Sequence, residues 1–289
     1  MLKTLMKHEM RATAKTFIWL YIAFAAIAVV NMLVNPASMF NSTPGGGVGM
    51  AEASAIVPST IRVIFGVLYG LALSAMVVGT LVVVILRFFR NLLGDEGYLM
   101  MTLPVSREQN IMSKLLVAVL WNVCTCVLII LSILLMFAAA GVLGDGIQAI
   151  SDYARAGAPV GRWIFMFAVA LVVSSFMGVL MLYAAMATGP NLLKNRVGGS
   201  ILAYIAIYII SMIVTAVILF ACARVFMDSG FFGGFNDFSR NAYEVEYFTR
   251  QAFAGVEFVV WASTIGSGAI AVGCWFLTRF MLKRKLNLA

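Results

Sequence analysis

Charged residues are scarce in this chain, and histidine is almost absent. Asp, Glu, Lys and Arg together make up 11% of its 289 residues, and His8 is the single histidine. A metalloprotease with an HExxH sequence, or a hydrolase with a Ser-His pair, would therefore lack the residues that its chemistry needs. The chain also has no GxxxxGK[ST] sequence to cradle nucleotide phosphates. We expect no catalytic residue, no metal site and no cofactor bound by this chain.

Cysteine is sparse as well. The four cysteines fall inside apolar runs, and their spacing is neither that of a metal site nor that of a disulfide framework. We interpret them as buried thiols that act as small apolar residues. They are Cys124, Cys126, Cys222 and Cys274.

Apolar sequence is what the chain has in abundance. Hydrophobic residues make up 63% of it and the mean hydropathy is +1.01, more than a soluble domain with so few polar groups could bury. Six runs are long enough to cross a bilayer, which takes roughly 20 helical residues. Helix is expected because unpaired backbone groups are costly in lipid and the runs lack a barrel's alternation. The sequence therefore predicts an all-α integral membrane protein with six transmembrane helices, near residues 17–34, 63–86, 115–141, 163–188, 200–226 and 256–282.

Basic residues predict the orientation of these spans. An even number of spans puts both termini on one side, and that side holds all the lysines among its fourteen basic residues, with four acids. The other side holds six arginines and eight acids. The positive-inside rule therefore predicts cytoplasmic termini in a plasma membrane, which we expect to be of the bacterial type. The net charge of +8 then indicates topology and contact with anionic membrane lipid, and no nucleic acid partner is expected.

Residues 1–16 have the pattern of an amphipathic interfacial helix that precedes a six-helix domain over residues 17–289. Four basic residues recur every fourth position and form one stripe, with apolar residues on another face. The alternative is that these charges only satisfy the positive-inside rule. The first apolar run is expected to be retained rather than cleaved as a signal peptide. The basic residues are Lys3, Lys7, Arg11 and Lys15.

The segments predicted to lie outside differ in composition. Residues 41–49 and 141–162 have the pattern of flexible, turn-rich linkers. Residues 227–255 interleave aromatic rings with charges, which predicts short helices on or in the outer leaflet. A role for this outer aromatic loop in gating is the alternative.

Ionisable residues are nearly missing from the six runs. Such residues mark ion sites and proton relays, because each costs roughly 2.5–3.5 kcal/mol or more at the bilayer centre. Those nearest to the runs are close to span ends, where they can reach water; they are Arg87, Arg224, Glu257 and Arg279. An ion-coupled carrier is therefore disfavoured, and the energy for any transport has to come from another chain.

Residues 94–114, GDEGYLMMTLPVSREQNIMSK, form a polar interruption between the second and third runs. Two glycines bracket two acids at its start, so the chain can turn there. A short helix is predicted for residues 98–103, because Pro104 ends it. Ser106 and Gln109 have the spacing of a capping box for a helix that continues into the third run. The apolar residues of the short helix are expected in a partner's cleft, and a solvated connector is the alternative.

This segment resembles the conserved loop of ATP-binding-cassette (ABC) export permeases. That family has E-x-G-[TY]-L-x-x-L-x-x-P-[VI]-[ST]-[RK] before a lysine at the start of the third span. Here Glu96 to Leu99, the LPVSR sequence and Lys114 match, with one residue fewer between the leucines and the proline. The resemblance implies that the cytoplasmic loop 87–114 carries a coupling helix docked on a separate nucleotide-binding ATPase subunit. The residues implied to contact that subunit are Asp95, Glu96, Gly97, Tyr98, Leu99, Leu103, Pro104 and Arg107.

The resemblance implies a permease subunit that is not itself an enzyme. ATP and Mg would be held by the partner ATPase, and a second permease subunit would complete a homodimer or a heterodimer. Lys194 and Arg196, on the second inner loop, are a further candidate contact with the ATPase, and contact with inner-leaflet lipid is their alternative. The expected activity is export of an amphipathic or apolar substrate such as a peptide, lipid or drug-like molecule. An ion-coupled secondary carrier and a non-transporting scaffold or sensor that recruits a cytoplasmic partner are the alternatives.

Overall fold

A computed structural model of the chain describes residues 2–34, 59–88, 107–139, 142–155, 159–192, 196–228 and 242–285. These residues form seven α-helices and no strand. The helices are α1 (Leu2–Val34), α2 (Ser59–Phe88), α3 (Arg107–Ala139), α4 (Val142–Arg155), α5 (Val160–Leu192), α6 (Arg196–Asp228) and α7 (Ala242–Lys285).

Six of these helices are long and apolar enough to cross a membrane, which confirms the predicted number of spans. The candidate spans contain 26 to 33 residues, and α4 is the helix that is too short. Helices suit these sequences because every backbone group finds its partner within the same segment. The part of the chain that the structure describes is therefore helical throughout and has the character of a multi-pass membrane protein.

The first compact unit, residues 1–153, is built around α1, α2 and α3. Contacts between them define their directions. Glu9 of α1 meets the end of α2, whereas Phe24, farther along α1, meets Tyr69 near the start of α2, so these two helices are antiparallel. Tyr21 and Asn31 of α1 meet residues of α3 that are about the same distance ahead in the sequence, so α1 and α3 are parallel.

One face of α1 supplies all of these contacts. Its residues are three or four positions apart, the spacing at which side chains share a face of a helix. We call this face the α1 stripe; it consists of Glu9, Thr13, Phe17, Tyr21, Phe24, Ala28 and Asn31. Residues on the other faces of α1, such as Trp19 and Leu33, are exposed and are free to meet lipid.

The second compact unit, residues 154–289, is built around α5, α6 and α7. The backbones of α5 and α6 touch near the end of α5 and the start of α6. A Cβ atom added to Gly199 would lie 2.1 Å from the carbonyl oxygen of Gly189, and one added to Gly189 would lie 2.3 Å from the amide nitrogen of Ser200. Only glycine allows so close an approach, which is the type of contact that small residues provide in membranes.

Three boundaries differ from the predictions. Helix α1 is continuous from Leu2 to Val34, so a separate interfacial helix over residues 1–16 is not confirmed. The prediction of a flexible linker over residues 141–162 was wrong, because residues 142–155 form α4. Residues 242–255, within the aromatic segment predicted to form short helices, are instead the start of the 44-residue helix α7.

The reason for the error at α4 lies in its own sequence. Gly144 and Gly146 suggested turns, yet Leu143, Ile147 and Ile150 recur at helical spacing and line one face. Ile147 and Ile150 are both more than half exposed, so this amphipathic face is open over much of its area.

Candidate partner-contact site

Most of the predicted ATPase contacts lie outside the residues that the structure describes. These are Asp95, Glu96, Gly97, Tyr98, Leu99, Leu103, Pro104 and Lys194. Arg107 is the first residue of α3, and Arg196 is the first residue of α6. The role of all ten residues stays a prediction from the sequence.

The structure does describe both flanks of the predicted coupling segment. Helix α2 ends at Phe88 and α3 begins at Arg107, and a carboxylate from α1 lies between the two helices. The Glu9 Oε2 atom pairs with Nη1 of Arg87, and its Oε1 atom lies 2.6 Å from Nζ of Lys114. We call Glu9, Arg87 and Lys114 the Glu9 cluster.

The members of the Glu9 cluster are withdrawn from solvent to different degrees. The side chain of Lys114 is 5% exposed, that of Glu9 is 13% exposed and that of Arg87 is 30% exposed. Removing charges from water is costly, and here both carboxylate oxygens have a cationic partner in return. Two cations and one anion make up the cluster, so loss of Glu9 would remove the anion that Arg87 and Lys114 share.

One turn farther along α1, next to the Glu9 cluster, the aromatic side chain of Trp121 on α3 also contacts α1. The indole N–H of Trp121 donates to Oγ1 of Thr13 over 2.9 Å, and the Thr13 hydroxyl donates to the carbonyl oxygen of Glu9 over the same distance. The ring of Phe17 is stacked on that of Trp121 with 4.5 Å between centroids and 8° between planes. These contacts fix α3 against α1 directly next to the Glu9 cluster.

Hydroxyl groups connect the three helices deeper in the unit. Tyr21 of α1 lies 3.0 Å from the hydroxyl of Thr125 on α3, and Thr125 lies 3.1 Å from the hydroxyl of Thr80 on α2. Nearer the far end, the hydroxyls of Tyr69 and Ser132 are 2.9 Å apart. Each of these groups is neutral, so the hydrogen bonds join the helices without placing a charge deep in the apolar region.

The second unit has its own ionic contact, at the start of α5. Glu257 of α7 lies 3.3 Å from Nε of Arg162 and accepts a hydrogen bond of 2.8 Å from the indole of Trp163. The Arg162 side chain is 61% exposed, which fits a residue that reaches water from a span end. This pairing joins α5 to α7 and accounts for the charge of Glu257.

Sequence reasoning missed the Glu9 cluster. Arg87 was interpreted as a charge near a span end and Lys114 as part of the ABC motif, and Glu9 was only counted among the acids of the inner face. A signal was nevertheless present in the sequence. Glu9 is the sole acid before Glu52, and it lies four positions before Thr13, so the two side chains share one face of a helix. An acid on the face that α1 turns toward its neighbours needs a basic partner.

Comparison of the chain with protein-family models, with curated proteins and with solved structures gave no match. The resemblance of residues 94–114 to ABC export permeases therefore depends on the sequence motif alone.

Proposed function

We propose that this chain is the permease subunit of an ABC exporter and that a separate ATPase subunit drives it. The observation that carries the proposal is the sequence of residues 94–114, in which two acids between glycines, a short apolar stretch predicted to be helical and LPVSR follow one another. The six apolar helices supply the membrane domain that such a subunit needs. In addition, Arg87, which precedes the motif, and Lys114, its last residue, pair with the same carboxylate.

In this proposal the termini and residues 94–114 face the cytoplasm, where an ATPase is available. The acids before the predicted short helix stabilise the helix, because its N-terminal end carries a partial positive charge. The apolar side chains of this helix enter a cleft of the ATPase. Closure of the ATPase on ATP then pushes the segment and, with it, the ends of α2 and α3. Two permease subunits with two ATPases would form the transport pathway, with an amphipathic or apolar molecule as substrate.

Co-purification tests the proposed partner. We expect the tagged full chain, extracted from its native membrane in mild detergent, to bring down an ATPase of the cassette type. Replacing Glu96 by Ala together with Leu99 by Lys should abolish this, because the cleft loses an acid and receives a buried cation. The matched control replaces Gln148 by Ala together with Ile147 by Lys, the same kinds of change on α4, and should keep the ATPase.

Two results would contradict the proposal at different points. If the unaltered chain brings down no ATPase, the permease assignment itself is wrong. If the ATPase is retained after the Glu96 and Leu99 substitutions, the chain has a partner but residues 94–114 are not the contact.

Transport assays separate the proposal from its two rivals. A permease should export substrate from vesicles only when both the ATPase and ATP are present, whereas a scaffold should export nothing. An ion-coupled carrier should work alone on a salt or pH gradient and should need an ionisable group in the membrane. Glu257 is the natural candidate for that group, but its contacts with Arg162 and Trp163 already give it a structural role.

A further inference from the structure

Glu9 joins three helices at the two ends of the segment that carries the ABC motif. Arg87 belongs to the last turn of α2, and Lys114 lies in the second turn of α3. Their charged groups meet at a single carboxylate from α1. The chain between them therefore starts and finishes at the same ionic contact.

The geometry leaves little freedom in this contact. Each carboxylate oxygen of Glu9 has its own cation, and Arg87 also reaches the backbone carbonyl oxygen of Glu9 over 3.4 Å. Lys114 is buried, so its ammonium group has little access to water. Without the carboxylate, the ends of α2 and α3 lose the anion that Arg87 and Lys114 both bind, and with it their common attachment.

Helix α1 is distant in sequence from residues 94–114, and beyond Glu9 further contacts join it to α3. The Thr13 hydrogen bond and the Phe17 stack both fix Trp121, and Tyr21 donates to or accepts from Thr125. A displacement of the α2 and α3 ends must therefore either carry α1 with it or break the Glu9 cluster.

We propose that Glu9 is a positioning residue for the coupling segment: it sets the separation of Arg87 and Lys114 and connects α1 to the movement that the ATPase imposes. This inference rests on the proposed function for the source of the movement. The positioning of the two helix ends is a property of the chain alone and can be measured without a partner.

The first measurement uses the purified full chain in lipid nanodiscs. Spin labels on cysteines at Leu86 and Gln109, with the four native cysteines replaced by alanine, report the distance between the ends of α2 and α3. We expect E9Q to lengthen and broaden this distance distribution, and E9D, which keeps the charge, to restore most of it. The matched control is E257Q, which removes the paired carboxylate of the second unit and should leave the distribution unchanged.

The second measurement adds the co-purified ATPase. E9Q leaves residues 94–114 intact, so we expect the ATPase to remain bound. Stimulation of ATP hydrolysis by the permease should nevertheless fall about tenfold, within the range of substitutions that alter coupling between sites. E9D should recover this stimulation and E257Q should keep it, a pattern that a general loss of stability would not produce.

The outcomes are distinguishable. An unchanged distance in E9Q overturns the positioning role whether or not an ATPase exists, whereas absence of any ATPase overturns only the proposed function. A changed distance with full stimulation shows that Glu9 holds the helix ends but has no part in coupling, which also overturns the inference. If E9Q does not fold, R87Q keeps the Glu9–Lys114 pair and is expected to give the same changes in smaller degree.

Discussion

Trp121 connects α3 to α1 by two different kinds of contact. Its indole donates a hydrogen bond to Thr13, its ring is stacked on Phe17, and its backbone carbonyl oxygen lies 3.1 Å from the hydroxyl of Tyr21. In a membrane, apolar packing against another helix is hardly better than packing against lipid. Polar and aromatic contacts of this sort therefore decide which helices pair and in which register.

Substitution of Trp121 should separate these two contributions. W121F keeps a ring for Phe17 but loses the hydrogen bond, so we expect the free energy of unfolding to fall by about 0.6 kcal/mol, the average for such bonds between membrane helices. W121A also loses the stack and leaves a cavity, so a fall of about 3–5 kcal/mol is expected. Reversible unfolding in mixed micelles measures both.

Trp19 supplies the matched control for this measurement. It lies on α1 and is 65% exposed, so W19F should change the free energy of unfolding very little. Equal effects of W19F and W121F would mean that the bond from Trp121 to Thr13 contributes nothing to stability.

Contacts between individual side chains were the part of the structure that was hardest to predict from the sequence. Glu9, Arg87 and Lys114 could each be placed near a span end, but hydropathy does not specify the register of three helices. Their meeting depends on the α1 stripe, whose contacts with α3 connect residues about a hundred positions apart. The motif residues 95–104 were found from sequence because they form a contiguous pattern.

The contact between α5 and α6 depends on the absence of side chains. Gly189 and Gly199 place the two backbones against each other near the end of α5 and the start of α6. In contrast, Gly178 has nothing within 4 Å of the position that a Cβ atom would occupy, although it lies on the same helix.

These two glycines of α5 should respond in opposite ways to alanine. G189A places a methyl group against the backbone of Ser200, so we expect overpacking to cost about 1–3 kcal/mol in unfolding free energy. G178A has open space and should be neutral or stabilising by up to about 1 kcal/mol, because alanine favours helix. Thermal unfolding of the two variants in the same detergent tests this, and an equal response would contradict the close contact.

The six spans were predicted correctly, but helix outside the apolar runs was missed, and the difference has a physical reason. Long apolar runs predicted the six spans, because lipid permits few other conformations. In aqueous or interfacial segments this restriction is lifted, and glycine there was given too much weight. Helix α4 forms despite Gly144 and Gly146, since its apolar residues share one face, and α5 continues to Leu192 past Pro190.

The whole chain divides into two units of three long helices, and in each unit the first and third helices are parallel. In the second unit, Trp163 near the start of α5 contacts Glu257, whereas Asn191 near its end is 3.5 Å from the sulfur of Met281. Within each unit, successive long helices run in opposite directions, as successive membrane crossings do. Hydropathy predicted the six crossings, but the grouping into two units depends on side-chain contacts that it does not report.

Labelling of single cysteines should test the predicted orientation. We expect His8→Cys, on the exposed surface of α1, to react with a membrane-impermeant maleimide only after intact cells are opened. Gln148→Cys, on the exposed surface of α4, should react in intact cells, because three crossings separate it from His8. Equal labelling of the two in intact cells would contradict the predicted topology.

The α1 stripe also has a mechanical consequence. It extends from Glu9 to Asn31, about 33 Å at the rise of an α-helix, which is close to the thickness of the hydrocarbon core. The ion pairs, hydrogen bonds and ring stacks that join α1 to α2 and α3 therefore run along α1 from one side of that core to the other. A displacement of α1 at Glu9 would therefore also act on its contact with Met136 at Asn31, near the opposite end of the helix.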